Sequence, residues 1–120
     1  MTILIVDDEP SMRQLLLRIF RQHKIAQASN AEDAKDLLSK HDFDVVISDN
    51  QMPGPSGVEL LAHVEVFHPD VHRILFSATP PMDLLSLVDQ GVIQDFVQKT
   101  DLRELVELCA NKLFQPRALS

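Results

Sequence analysis

The chain has 120 residues, 45% of them hydrophobic, and a formal net charge of −7. This length suits a single domain over residues 1–120, and the acidic charge argues against direct contact with nucleic acid, which needs clustered Lys and Arg. One cysteine excludes an internal disulfide, and no apolar run approaches the roughly 20 residues that cross a membrane, so we expect a soluble, cytoplasmic domain with no membrane partner.

Five short segments of largely apolar residues predict β-strands, and a segment with helical periodicity follows each of them. The strands are expected at residues 3–6, 24–28, 45–48, 73–77 and 95–99. The helices are expected to begin near Pro10, after a cap at Asn30, after a cap at Ser56, after a cap at Thr79 with Pro80 as first residue, and after a cap at Thr100. In the last helix, one apolar stripe carries Leu102, Leu105, Val106, Cys109 and Leu113. Residues 115–120 then read as a C-terminal tail or the start of a linker.

Regular alternation of strands and helices predicts an α/β fold with a parallel sheet covered on both faces. Right-handed crossovers favour the strand order 2-1-3-4-5, which gives a flavodoxin-like (βα)5 three-layer sandwich with a five-stranded parallel sheet. This order places the first strand beside the third. Asp7, Asp8 and Asp49 would therefore meet at the carboxyl edge of the sheet, with Ser77 and Lys99 at the ends of the fourth and fifth strands.

Three carboxylates so close together need compensation, because like charges raise one another's pKa. A divalent cation provides it, and an all-oxygen site with room for water and phosphate oxygens suits Mg²⁺. Asp49 is the single carboxylate at its strand end and is followed by a Pro/Gly-containing loop. It is the candidate nucleophile for phosphoryl transfer, with Lys99 stabilising the charge that spreads in the transition state.

The chain carries Asp7-Asp8, Asp49-x-x-Met52-Pro53-x-x-x-Gly57, Ser77-Ala78 and Lys99, each at the expected strand end. These motifs closely resemble the receiver domains of two-component response regulators, the CheY-like family. The resemblance implies that Asp49 is the phosphoacceptor and that Ser77 and Lys99 contact the phosphoryl group. It also implies an Mg²⁺ site and two switch residues. The metal ligands would be Asp7, Asp8, Asp49 and the Gln51 backbone carbonyl, and the switch residues would be Ser77 and Phe96.

A receiver domain is a phosphoryl-accepting signalling switch, which catalyses only its own phosphorylation and dephosphorylation. The resemblance implies a histidine kinase or histidine phosphotransfer protein as the donor, and an output domain or effector protein as the downstream partner. Phosphorylation would alter the surface formed by the fourth helix, fifth strand and fifth helix. A phosphorylation-dependent homodimer is left open.

Thr100 departs from the family pattern, which commonly has a proline with a cis peptide bond after the lysine. A trans bond is expected here, since a non-proline cis bond costs about 2.5 to 4 kcal/mol, and this would aim Lys99 differently. The chain could then be a pseudo-receiver, a phosphorylation-independent interaction module. A flavodoxin-like electron carrier shares the fold, but the chain has no Trp or Tyr to stack a flavin and no phosphate-binding loop.

Overall fold

The computed structural model describes residues 1–110 of the chain. Strands and helices alternate along it. The strands are β1 (Thr2–Val6), β2 (Lys24–Ala28), β3 (Val45–Ser48), β4 (His72–Ser77) and β5 (Asp95–Gln98). The helices are α1 (Pro10–Ile19), α2 (Ala31–Lys40), α3 (Gly57–Phe67), α4 (Leu84–Asp89) and α5 (Leu102–Leu108). None of these helices is long and apolar enough to span a bilayer, and the predicted tail at 115–120 lies outside the described residues.

The five strands form one parallel sheet in the order β2-β1-β3-β4-β5. The predicted fold class and strand order are therefore confirmed. In register, Val6 pairs with Ser48, so β1 and β3 end side by side. Ser77 pairs with Gln98 at the ends of β4 and β5. This register sets the residues that follow each strand along one edge of the sheet.

The sheet separates two hydrophobic layers, because successive side chains of a strand point to opposite faces. On one face, Leu4, Val46 and Leu75 pack with residues of α2, α3 and α4. On the other face lie Ile5 and Ile47, with residues of α1 and α5. The central strands are thus buried on both sides, which explains their continuous apolar sequences.

Cys109 belongs to the second layer and is buried, as the helical stripe predicts. Burial, followed by the charge of Asp95, raises the pKa of the Cys109 thiol to about 12. The thiol is therefore protonated at neutral pH and acts as a packing group. Val106, four residues after Leu102 and three before Cys109, lies at the margin of this stripe and is 39% exposed.

The fourth helix begins later than the sequence predicted. It starts at Leu84 after Asp83, so Thr79 is not its cap and Pro80 is not its first residue. The reason is local, since Pro81 disfavours the helical conformation for the residue that precedes it. An irregular connection of residues 78–83 therefore leads from Ser77 to α4.

The cap of the last helix also differs by one residue. The Asp101 side chain, not that of Thr100, accepts a hydrogen bond from the Glu104 N–H at 3.1 Å. A turn in which the Asp101 N–H donates to the Gln98 carbonyl at 2.9 Å places Thr100 before the helix. Both residue types cap helices well, so the position of this turn decides between them.

Arg73 is a buried cation at the start of β4 that the sequence analysis did not single out. Its guanidinium donates to the carbonyl of Gly91 at 2.9 Å and 3.2 Å, to that of Val71 at 2.9 Å and to that of Pro69 at 3.2 Å. Burial lowers the pKa of this guanidinium, against an opposing effect of Glu65. Arg73 thus links the segment after α4 to the α3–β4 connection. These contacts lie at the amino ends of the strands, at the edge of the sheet opposite the carboxylates.

Candidate functional site

The carboxyl ends of β1 and β3 bring three carboxylates together. The Asp49 N–H donates to the Val6 carbonyl at 2.8 Å, which continues the sheet pairing beyond the strands. Asp7 is 2% exposed and Asp49 is 5% exposed, whereas Asp8 is on the surface. Each of these three residues offers a carboxylate oxygen within 4.8 Å of the other two. The convergence predicted from the sequence is present.

Lys99 enters this cluster from the end of β5. Its Nζ lies 2.9 Å from Asp7 Oδ2, 3.4 Å from Asp49 Oδ2 and 3.4 Å from Glu9 Oε1, and its side chain is 13% exposed. The Lys99–Thr100 peptide bond is trans, as is every peptide bond of the described residues. Lys99 therefore reaches the carboxylates without the cis bond that is common in the family.

The carboxylates keep Lys99 charged. Burial lowers the pKa of the Lys99 amine, but the hydrogen bond and charge of Asp7, and then those of Asp49, outweigh burial and raise that pKa above its usual value. The amine is thus a cation at neutral pH. With only one cation bonded to Asp7 and Asp49 in the described part of the chain, the cluster retains an excess of negative charge.

The pKa of the Asp49 carboxyl reflects this excess of negative charge. Burial and the charge of Asp7 raise the pKa of the Asp49 carboxyl, while Lys99 and a hydrogen bond from the Asn50 N–H act in the opposite direction. The net pKa is raised, so the ionised carboxylate is less stable in the folded protein than in the unfolded chain. Ionised Asp49 therefore reduces the stability of the fold at neutral pH.

We expect Asp49→Asn to stabilise the Mg²⁺-free protein at pH 7, by about 1 kcal/mol, an ordinary size for one substitution. The gain should diminish as the pH falls below the raised pKa and vanish below the usual carboxyl range, where folded and unfolded wild-type Asp49 are both protonated. Thermal unfolding of both proteins between pH 4 and pH 7 measures the difference. A variant less stable than wild type at pH 7 would contradict the expectation.

The loop after Asp49 is fixed by the start of α3. The Ser56 hydroxyl accepts a hydrogen bond from the Glu59 N–H at 3.2 Å, which confirms the predicted cap. Gly57, the first residue of α3, lies directly against the preceding backbone. A Cβ added at Gly57 would stand 2.0 Å from the Asp49 carbonyl oxygen and 2.8 Å from the Asn50 Cα. Only glycine permits this approach of the helix to the strand end.

The other predicted site residues, Ser77, Gln51 and Phe96, differ in their burial. Ser77 is buried at the end of β4, and its carbonyl accepts a hydrogen bond from the Lys99 N–H at 3.0 Å. Gln51 is exposed on the loop after Asn50. Phe96 is half-buried, packs against the core layer of α2, α3 and α4, and pairs in register with Leu75. The functional roles assigned to these residues stay predictions.

Glu9 is a further residue of the site whose role the sequence analysis missed. Its carboxylate contacts Lys99, and its N–H donates to Asp7 Oδ1 at 2.9 Å. Arg13 Nη1 in turn donates to the Asp7 carbonyl at 2.7 Å. The run of three acidic residues, Asp7-Asp8-Glu9, was the available signal, but a sequence does not show which of them faces the lysine.

The donor set fits a hard divalent cation. All three clustered side chains offer carboxylate oxygens, two of them are nearly buried, and Lys99 alone does not neutralise them. Mg²⁺ favours a few protein carboxylates together with water or phosphate oxygens, whereas Ca²⁺ favours more ligands. The exposed side at Asp8 leaves room for such additional oxygens.

The comparisons with known proteins agree with this geometry. The family model of the response regulator receiver domain matches residues 3–110. The chain is 31% identical over 113 residues to the response regulator protein PilR of Pseudomonas aeruginosa. This match covers 92% of the chain but only 25% of PilR. It is 30% identical over 106 residues to sporulation initiation phosphotransferase F of Bacillus subtilis, with 86% of each protein covered.

A solved structure supports the same assignment. The response regulator protein TrrA from Thermotoga maritima, in complex with Mg²⁺-BeF, is 30% identical in sequence and superposes with a TM-score of 0.81. The match covers 94% of this chain and 98% of TrrA. The matched family model covers β1 from its second residue, the other four strands and the carboxylate cluster. The chain therefore belongs to the response regulator receiver domain family and is a regulatory signalling domain.

Proposed function

We propose that Asp49 accepts a phosphoryl group from a histidine kinase or a histidine phosphotransfer protein. The observation that carries this role is the position of Asp49 Oδ2, nearly buried, 3.4 Å from Lys99 Nζ and clustered with the carboxylates of Asp7 and Asp8. A carboxylate in this setting has one side facing a cation and a neighbouring set of hard oxygen ligands. It is suited to attack phosphorus.

In the transfer, an Asp49 oxygen forms a bond to phosphorus as the bond from phosphorus to the donor's leaving group breaks. Negative charge spreads over the three remaining phosphoryl oxygens. Lys99 Nζ would pair with one of them and the Ser77 hydroxyl would donate a hydrogen bond to another. Asp7, Asp8, Asp49 and the Gln51 carbonyl would hold Mg²⁺, which supplies charge neutralisation for phosphoryl transfer. Attack of water on the aspartyl phosphate would later release inorganic phosphate and restore the carboxylate.

The added phosphate charge would change the packing beside it. Lys99 and Ser77 would move toward the phosphoryl group, and Phe96 on β5 would repack with α4. The surface of α4, β5 and α5 includes exposed apolar side chains, which a partner could cover. These are Leu85 and Val88 of α4 and Val106 of α5, with Met82 on the connection that precedes α4. We assign this surface to an output domain or effector protein in the cytoplasm, and we leave a phosphorylation-dependent homodimer open.

The test is phosphorylation of the purified protein by acetyl phosphate with Mg²⁺, followed by intact mass spectrometry. We expect wild type to gain the mass of one phosphoryl group, in a linkage that is stable to acid and labile to base. EDTA should prevent the gain, and Asp49→Asn should remain unmodified. A wild-type protein that gains no mass, or an Asp49→Asn variant that gains it equally, would favour the pseudo-receiver instead.

A further inference from the structure

Asn50 joins the predicted phosphoacceptor to the start of α3. Its N–H donates to Asp49 Oδ1 at 2.8 Å. Its carbonyl accepts a hydrogen bond from the Gly57 N–H at 2.9 Å, and its side-chain Oδ1 accepts one from the Val58 N–H at 3.0 Å. Within the described part of the chain, Asn50 therefore makes three hydrogen bonds, one toward the carboxylate and two toward the helix.

The two bonds toward the helix satisfy N–H groups that a helix cannot satisfy itself. The first N–H groups of a helix have no partner within it. In α3, Asn50 accepts from the first two, at Gly57 and Val58, and Ser56 accepts from the third, at Glu59. Helix α3 is thus capped both by the residue that precedes it and by a residue seven positions from its start. Only the more distant cap adjoins Asp49.

The bond toward the carboxylate distinguishes the two oxygens of Asp49. Oδ1 is held by the Asn50 N–H, whereas Oδ2 lies 3.4 Å from Lys99 Nζ. The Asp49 backbone cannot shift toward α3, because Gly57 already lies against its carbonyl. The orientation of the carboxylate consequently depends on where Asn50 is held, and Asn50 is held by α3.

We propose that Asn50 is a positioning residue for phosphorylation: it fastens the Asp49 carboxylate and the Gln51 carbonyl to the N-terminus of α3. This role rests on the proposed function, since it concerns the reactivity of Asp49. Without the side-chain bond to Val58, the loop of residues 51–55 would be attached at the Asp49 side only by the bond from the Gly57 N–H to the Asn50 carbonyl. Both the reacting oxygen and the Gln51 metal ligand would then be less well placed.

The test compares two alanine variants that each remove one side-chain acceptor from the same helix terminus. Asn50→Ala removes the acceptor on the residue whose N–H is bonded to the Asp49 carboxylate, and Ser56→Ala removes an acceptor on a residue that makes no hydrogen bond to Asp49 within residues 1–110. Three quantities are measured for each: thermal stability, the Mg²⁺ dissociation constant by calorimetry without phosphodonor, and the phosphorylation rate with acetyl phosphate at saturating Mg²⁺. Asn50→Gln, which keeps the amide but displaces it by one methylene, replaces Asn50→Ala if that variant does not fold.

Both alanine variants should be less stable than wild type. Only Asn50→Ala should bind Mg²⁺ more weakly and react more slowly, by about tenfold each, the lower end for a group that orients a metal ligand. Equal losses in Ser56→Ala, or wild-type affinity and rate in Asn50→Ala, would overturn the role of Asn50. If wild type itself is not phosphorylated, the proposed function fails, and the Mg²⁺ affinities alone then decide whether Asn50 positions the loop.

Discussion

Gly57→Ala should destabilise the protein by about 3 kcal/mol, the upper range for inserting a methyl group into a packed site. The new Cβ would stand 2.0 Å from the Asp49 carbonyl oxygen and 2.8 Å from the Asn50 Cα. Both are backbone atoms, so no side-chain rotation relieves the clash. Helix α3 would have to move away from β3, or the Asp49–Asn50 backbone would have to shift. Urea denaturation measures the loss, and the phosphorylation rate should fall with it.

Gly54→Ala is the matched control for this substitution. Gly54 lies on the same loop with a φ of +79°, and no atom of residues 1–110 lies within 4 Å of an added Cβ. Its replacement should cost about 1 kcal/mol, from the left-handed backbone alone. Equal losses for the two variants would mean that close packing at Gly57 is not what fixes the strand end.

Lys99→Met should destabilise the protein at pH 7 in Mg²⁺-free buffer by about 3 kcal/mol, the lower end for a broken buried ion pair. The substitution leaves Asp7 and Asp49, both nearly buried, without their amine partner. Because the pKa of Lys99 is raised in the folded protein, the lysine contributes this stability at neutral pH and loses it only at a pH above the usual lysine range. Phosphorylation should be severely slowed.

Addition of Mg²⁺ separates this electrostatic cause from lost packing. The cluster becomes more negative without Lys99, so Mg²⁺ should bind more tightly and raise the thermal stability of Lys99→Met more than that of wild type. Lys40→Met is the control, since it removes an exposed ion pair with Asp36 at 3.1 Å that is worth about 0.5 kcal/mol. An equal Mg²⁺ response in Lys99→Met and wild type would contradict the charge compensation.

The convergence of the three carboxylates at neighbouring strand ends could be predicted, because it follows from general rules of α/β folds. Two apolar runs, each closed by carboxylates, become neighbouring strands once the alternation and handedness of the connections set the strand order. The proximity of Asp7, Asp8 and Asp49 follows directly. Membership of the receiver family also disfavours the electron carrier, which the sequence argued against by its lack of Trp and Tyr and of a phosphate-binding loop.

The remaining features depend on contacts between distant residues. The hydrogen bonds of Arg73 to Gly91 and of Val58 to Asn50 join residues that are distant in sequence, and no local sequence pattern predicts them. The side chains of Glu9 and Lys99 are in contact although the two residues are 90 positions apart in the sequence. The late start of α4 is consistent with Pro81, which disfavours the helical conformation at Pro80, even though Thr79 followed by Pro80 is typical of a helix start.

Identifying the phosphorylated residue is the most direct test of the proposal that Asp49 is the phosphoacceptor. Borohydride reduces an aspartyl phosphate to homoserine, so the modified position is marked permanently. Wild-type protein treated with Mg²⁺ and acetyl phosphate, reduced and digested, should yield homoserine at position 49 and at no other aspartate. Homoserine at Asp7 or Asp8, or its absence from every peptide, would contradict the assignment of Asp49 as the phosphoacceptor.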